Sequence, residues 1–138
     1  MRALSLWQPW ASLIYDGRKT IETRHWEMLY RGPLAIHAAK RIEKDACEDF
    51  GYDWRTISSG AVLCIVNVKN CVRFPHPLAP PDKYGDFQEG RFGILMEMVE
   101  KFEQPISAKG MQGIWNWEPP VHVHALRSWQ PGREERQP

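Results

Sequence analysis

Residues 17–26 read GRKTIETRHW, and Lys19, Glu22 and Arg24 lie within six positions of one another. A lysine ammonium is a compact, mobile charge whose pKa falls when it is desolvated. An arginine guanidinium is a planar fork that matches phosphate or carbonyl oxygens. A glutamate can orient either cation or accept a proton. The β-branched and aromatic residues of KTIETRHW predict a strand. Alternation then puts Glu22, Arg24 and Trp26 on one face and Ile21, Thr23 and His25 on the other, with Lys19 at the turn leading in. Composition alone leaves two readings open. One is a solvated edge whose surface ion pairs contribute about 0–1 kcal/mol. The other is the wall of a cleft.

Three further stretches carry candidate ligand contacts. In SLWQPWAS, Gln8 stands between a strand and a helix start, where its amide could read the donor–acceptor edge of a base. Helix capping is the competing role for Gln8. Core packing is the competing role for Trp10, and for Trp7 the two roles are balanced. HAAK places His37 and Lys40 at the end of a strand. In GMQGIWNW, glycines permit close backbone approach, and Trp115 and Trp117 either stack on a base or plug one end of the fold. His122 and His124 would share a strand face, but two histidines without a third ligand do not make a metal site. No GxSxG, P-loop or dinucleotide fingerprint is present. Neither a metal nor a cofactor is expected.

The elements that must position these residues are short. Arg2–Leu6 predicts a strand, and PWASLIYDG a compact helix that opens at Pro9 and stops at Gly17. GPLAIHAAK predicts a strand with Leu34 and Ile36 facing one way and His37 the other. RIEKDACEDFG predicts a second helix, with Ile42, Ala46 and Phe50 at four-residue spacing. GAVLCIVNVKNCVRF is apolar on both faces and reads as a central strand, Val62, Cys64, Val66 and Val68 alternating with Leu63 and Ile65. Residues 74–90 read as loop, Phe92–Phe102 as a strand ending at Pro105, and residues 121–126 as a last short strand. Five or six strands with few crossover helices favour a small mixed barrel with helices packed outside it.

A chain of 138 residues suits one domain with a real core. The expected domain spans residues 2–126, and residues 127–138 form a flexible tail. Net charge is +1, but residues 1–44 hold eight Lys/Arg against four Asp/Glu, whereas residues 45–103 hold six against ten. The basic first third hints at an anionic partner. Cys47, Cys64 and Cys71 are odd in number and lack CxxC spacing, so neither a disulfide framework nor a zinc knuckle is expected. No leader-like segment and no apolar run of about 18 residues is present, so a cytoplasmic setting without membrane contact is expected.

Gly17-x-Lys19-x-x-Glu22-x-Arg24 reproduces the GxKxxExR signature of the ASCH family. LSLWQPWASLI, RGPLAIHAAK, GAVLCIVNV, YGDFQEGRFGILME and PISAKGMQGIWNW also resemble its small stand-alone bacterial and phage members, so the likeness spans roughly residues 2–118. The resemblance implies a PUA-like α+β fold: a mixed β-barrel of about five or six strands flanked by short helices. It implies a cleft that binds RNA or other single-stranded nucleic acid, or a nucleotide-like small molecule. Lys19, Glu22 and Arg24 would line that cleft, with Gln8, Trp10, His37, Lys40 and Trp115 as further contacts. Some similar proteins hydrolyse N4-acetylcytidine with a lysine, a threonine and a glutamate, and another member is a ribonuclease. The threonine stands three positions after the lysine, where this chain has Glu22, and Thr23 points to the opposite strand face. In an enzymatic reading, Lys19 would be the catalytic amine and Glu22 the general base. A protein-interaction domain ranks last, because the chain has neither an extended acidic segment nor a heptad segment.

Overall fold

Apolar alternation generates most of the architecture. A computed structural model describes residues 1–121 and residue 123. Their elements run β1 (Arg2–Gln8), α1 (Trp10–Tyr15), β2 (Ile21–Arg24), β3 (Gly32–Ile42), α2 (Lys44–Phe50), β4 (Ala61–Arg73), β5 (Phe92–Ser107) and β6 (Ile114–Asn116). All six strands join one sheet in the order β2-β5-β4-β3-β1-β6. β1 pairs with β3 in parallel, and every other neighbouring pair is antiparallel. The fold is α+β with a mixed sheet. The tail at 127–138 and the histidines His122 and His124 lie outside the described residues, as does most of the strand expected over 121–126.

The sheet buries both faces. Leu4, Leu6, Leu34, Ile36 and Val66 pack on one side with Ala11 and Ile14 of α1. Ala3, Ala35, Val62, Ile65, Phe102, Trp115 and Trp117 pack on the other. β4 lies between β3 and β5, as its two-sided apolar pattern requires. Its alternation breaks at Leu63, which joins Cys64 and Val66 on the first side while Val62 joins Ile65 on the second. The register against β5 slips between Val62 and Cys64, so an irregularity moves Leu63 across the sheet. Pro105 falls inside the same slip, between Lys101 opposite Cys64 and Ile106 opposite Val62. A proline without an N–H is tolerated where the ladder is already interrupted, and β5 therefore runs past it to Ser107.

Two further expectations are corrected. The second helix begins at Lys44, because β3 continues to Ile42; Cys47 is its buried residue. Gly51 ends this helix at φ 86°, a left-handed turn that glycine adopts without strain. The sheet, moreover, is not closed into a barrel. β2 has only four residues, and loop 83–91 covers its outer edge: Asp86 N donates to Thr23 Oγ1 at 3.0 Å, and Arg91 Nη2 to Thr23 O at 3.5 Å. Across the seam towards β1 the link is a side chain, Arg24 Nη2 donating to Ser5 O at 3.2 Å. Side-chain bonds at this position replace the backbone ladder that closure would need.

Two acids, one buried and one half-buried, are held in their neutral form. Burial pushes the Cys64 thiol up to about 12. Burial, reinforced by the hydrogen bond that the Tyr52 hydroxyl donates to Asp16, likewise raises Tyr52 to about 12. The unfolded chain releases these protons earlier, near pH ~8.5 for cysteine and ~10 for tyrosine. Their contribution is therefore complete below those values and is lost as pH climbs towards the folded values. Urea midpoints measured across alkaline pH should fall between about pH 8.5 and 12, and Tyr52→Phe should flatten the part of that fall above about pH 10.

Candidate functional site

The opening of the sheet is organised around a buried cation. Lys19 is 1% exposed. Its Nζ donates to Tyr84 O at 2.8 Å and sits 3.3 Å from Glu22 Oε1. A buried ammonium without such partners would cost several kcal/mol. The other carboxylate oxygen, Glu22 Oε2, accepts from Arg24 Nε at 2.8 Å. One carboxylate thus serves two cations, and the trio carries a net positive charge. The excess sits on Arg24, whose side chain is 23% exposed. Lys19 fixes the glutamate, and the glutamate aims the guanidinium.

The Tyr84 carbonyl is itself held in place. The Arg18 guanidinium lies 5.7 Å from the ring centroids of both Tyr52 and Tyr84, and Nη1 donates to Phe50 O at 2.8 Å. The Phe50 and Tyr84 rings meet at 5.2 Å. Gly85 packs so tightly on β2 that a Cβ there would come within 2.7 Å of Thr23 Cγ2. The loop is seated against the strand it serves.

Above the trio opens a cleft of about 1560 Å³, walled by β1, β2, the end of β3, loop 83–86 and loop 108–113. Trp7, Trp10 and Trp26 line it together with Glu22, Arg24, His37 and Lys40. Trp7 is 48% exposed, with the Arg41 guanidinium 3.8 Å from its ring centroid. The Arg24 guanidinium lies 6.0 Å from the Trp26 ring. Lys40, Lys83 and Lys109 add positive charge at the lining, and none of them forms an ion pair with a carboxylate among the described residues.

The structure therefore brings together Trp10, Glu22, Arg24, His37 and Lys40 of the expected contacts, and it leaves out three. Lys19 lies beneath the cleft instead of in it. Gln8 is fully buried on the Leu4–Leu6 side of β1. Its Nε2 donates to Ser12 Oγ at 2.8 Å and to Ser58 O at 2.7 Å, and its Oε1 accepts from Ser12 N at 3.0 Å. It caps the first turn of α1, and no amide hydrogen is left for a base. Trp115 is buried in the second core cluster, its Nε1 donating to Ser5 Oγ at 3.0 Å. It is not a stacking surface. Sequence reasoning overlooked Ser5 and omitted Trp7 and Trp26 from the contacts. Trp26 had a signal, because alternation puts it on the face of Glu22 and Arg24. Trp7 shares the opposite face of β1 from buried Leu6 and Gln8.

Solved ASCH structures share this open mixed-sheet fold. The crystal structure of ASCH from Zymomonas mobilis superposes with a TM-score of 0.55 at 17% identity, covering 92% of this chain and 93% of that one. The ZmASCH S128A mutant from the same organism gives 0.54 at 17% identity, covering 92% and 94%. At this identity the likeness speaks for the fold. The ASCH domain family model matches residues 4–106, and the chain belongs to that PUA-like family, which is generally linked to RNA binding. No functionally curated protein matches the sequence. Among the described residues, no helix is long and apolar enough to cross a membrane.

The buried trio makes a quantitative prediction. Glu22→Ala strips Lys19 of its carboxylate while the ammonium stays in place, so a loss of about 3–5 kcal/mol is expected in chemical denaturation.

Proposed function

We propose that the cleft binds single-stranded nucleic acid, with RNA the first choice, or a nucleotide-like fragment of it. The carrying observation is Arg24: a guanidinium oriented by Glu22 and partly exposed in a cleft walled by three tryptophans. The fork suits a phosphate or a base carbonyl. Trp7, Trp10 and Trp26 offer π-faces on which bases of any identity stack. Lys40, Lys83 and Lys109 supply further phosphate contacts, so affinity depends on salt through counterion release. The free thiols of Cys47, Cys64 and Cys71 are compatible with a reducing, cytoplasmic setting.

Hydrolysis of a modified nucleoside such as N4-acetylcytidine, or of RNA, by Lys19 and Glu22 has less support. The Lys19 amine does not line the cleft. Both Glu22 oxygens face cations, which leaves neither free to act as a base.

Tryptophan-fluorescence titration with a short single-stranded RNA provides the test. Affinity is expected to fall as salt rises. Arg24→Ala should weaken binding about ten-fold or more, equivalent to about 1.4 kcal/mol. Trp7→Ala should remove about 1–3 kcal/mol of stacking. Salt-independent binding, or an unchanged affinity in Arg24→Ala, would refute the reading.

A further inference from the structure

One polar cluster in the cleft wall is not used by nucleic-acid binding. Ser5 and His37 are paired residues on the parallel strands β1 and β3. Their side chains meet at 3.0 Å, Ser5 Oγ to His37 Nδ1. On the far side of the ring, His37 Nε2 lies 2.8 Å from Ala108 O. Trp115 Nε1 reaches Ser5 Oγ at 3.0 Å. Both Ser5 and His37 line the cleft, and His37 is 2% exposed.

Chemistry fixes the direction of each bond. A carbonyl oxygen only accepts, so His37 Nε2 carries the hydrogen. In the neutral imidazole Nδ1 is then an acceptor, and the Ser5 hydroxyl donates to it. The indole N–H only donates, so Ser5 Oγ accepts from Trp115. A hydroxyl oxygen has two lone pairs. Trp115 takes one, and the other is left for attack. A hydroxyl donating to a base that is oriented by a third group is the arrangement that activates serine nucleophiles. Gly110 lies against the pair without filling the space beside it. A Cβ at this glycine would clash with His37 Cε1 and lie 2.6 Å from Ser5 Oγ, so only glycine lets loop 108–113 come this close while leaving that space free.

We infer that Ser5 is a nucleophile activated by His37, and that the cleft accepts small carboxylic esters of aromatic alcohols. Ser5 Oγ bonds to the ester carbonyl carbon while its proton passes to His37 Nδ1. The carbon–oxygen bond to the alcohol breaks, and the alcohol leaves with that proton. Water attacks the acyl carbon in turn and gives a proton to Nδ1. Ser5 Oγ departs and recovers that proton, and the acid is released. The Trp115 N–H stabilises negative charge on Oγ at the points where the oxygen is unprotonated. The tryptophan walls take the aromatic alcohol. This activity does not depend on nucleic-acid binding.

Two probes test it on the full chain. Diisopropyl fluorophosphate should add one phosphoryl group per chain, fluoride leaving, and peptide mapping should place it on Ser5. p-Nitrophenyl acetate should release p-nitrophenolate. Ser5→Ala should abolish both reactions. His37→Gln should slow them about 10²-fold, the range of general-base assistance. Trp115→Phe keeps the ring and loses only the N–H, so it should slow both reactions without removing either member of the pair. Thermal unfolding of each variant establishes that it is folded. No adduct on the wild-type protein, an adduct on another residue, or equal labelling rates in wild type and His37→Gln would overturn the inference.

Discussion

An ammonium group sealed from water must find negative charge within the protein, and at Lys19 that requirement governs the whole opening of the sheet. Its two partners come from different places, a carboxylate on β2 and a carbonyl from the loop after β4. The loop is thereby tied to the strand, and the strand is kept short because the loop occupies its edge. Glu22 cannot turn away without stranding the lysine, so Arg24 receives a fixed partner and a fixed direction. The exposed cation is well ordered because the hidden one is costly to disturb. This is a case of a supporting residue determining the geometry of a contacting one.

The same requirement accounts for the seam. A closed barrel would need backbone pairing between the strand that bears Glu22 and a further strand. Here β2 gives its inner edge to β5 and its outer edge to loop residues, and a single guanidinium reaches β1. The opening this leaves is wide enough for three tryptophans to face it. An unclosed sheet and a ligand-sized cleft are one feature viewed from two sides.

The charged motif was legible in the sequence because its information is local. Alternation alone put Glu22 and Arg24 on one face, and the observed ion pair agrees. The position of Lys19 beneath that face could not be seen, since its acceptor Tyr84 O is contributed by a residue far along the chain. Gln8 was misread for a similar reason. Its alternation with Leu4 and Leu6 points it inward, but the acceptor that satisfies it, Ser58 O, belongs to a distant loop. Trp115 illustrates the reverse error, where an aromatic residue beside glycines packs into the core because β6 pairs with β1. The place of Leu63 depended on a register slip that strict alternation does not reveal. Most of the strands and both helices could be anticipated from periodicity and stop residues. Which side of the sheet each polar group faces depended on long-range register.

The parallel and antiparallel neighbours of β1 have a consequence for synthesis. β1 is made first, and its partner β3 follows within a few dozen residues, but its second partner β6 spans Ile114–Asn116. At about 5–20 residues per second, the ribosome exposes a long nascent sheet whose first strand still has one bare edge. That edge runs along Arg2–Leu4, and its unpaired backbone groups attract other unpaired strands. The cleft is therefore completed only once β6 has been made, and a chain stopped before β6 would lack Trp115 of the second core cluster and keep a bare strand edge beside its cleft.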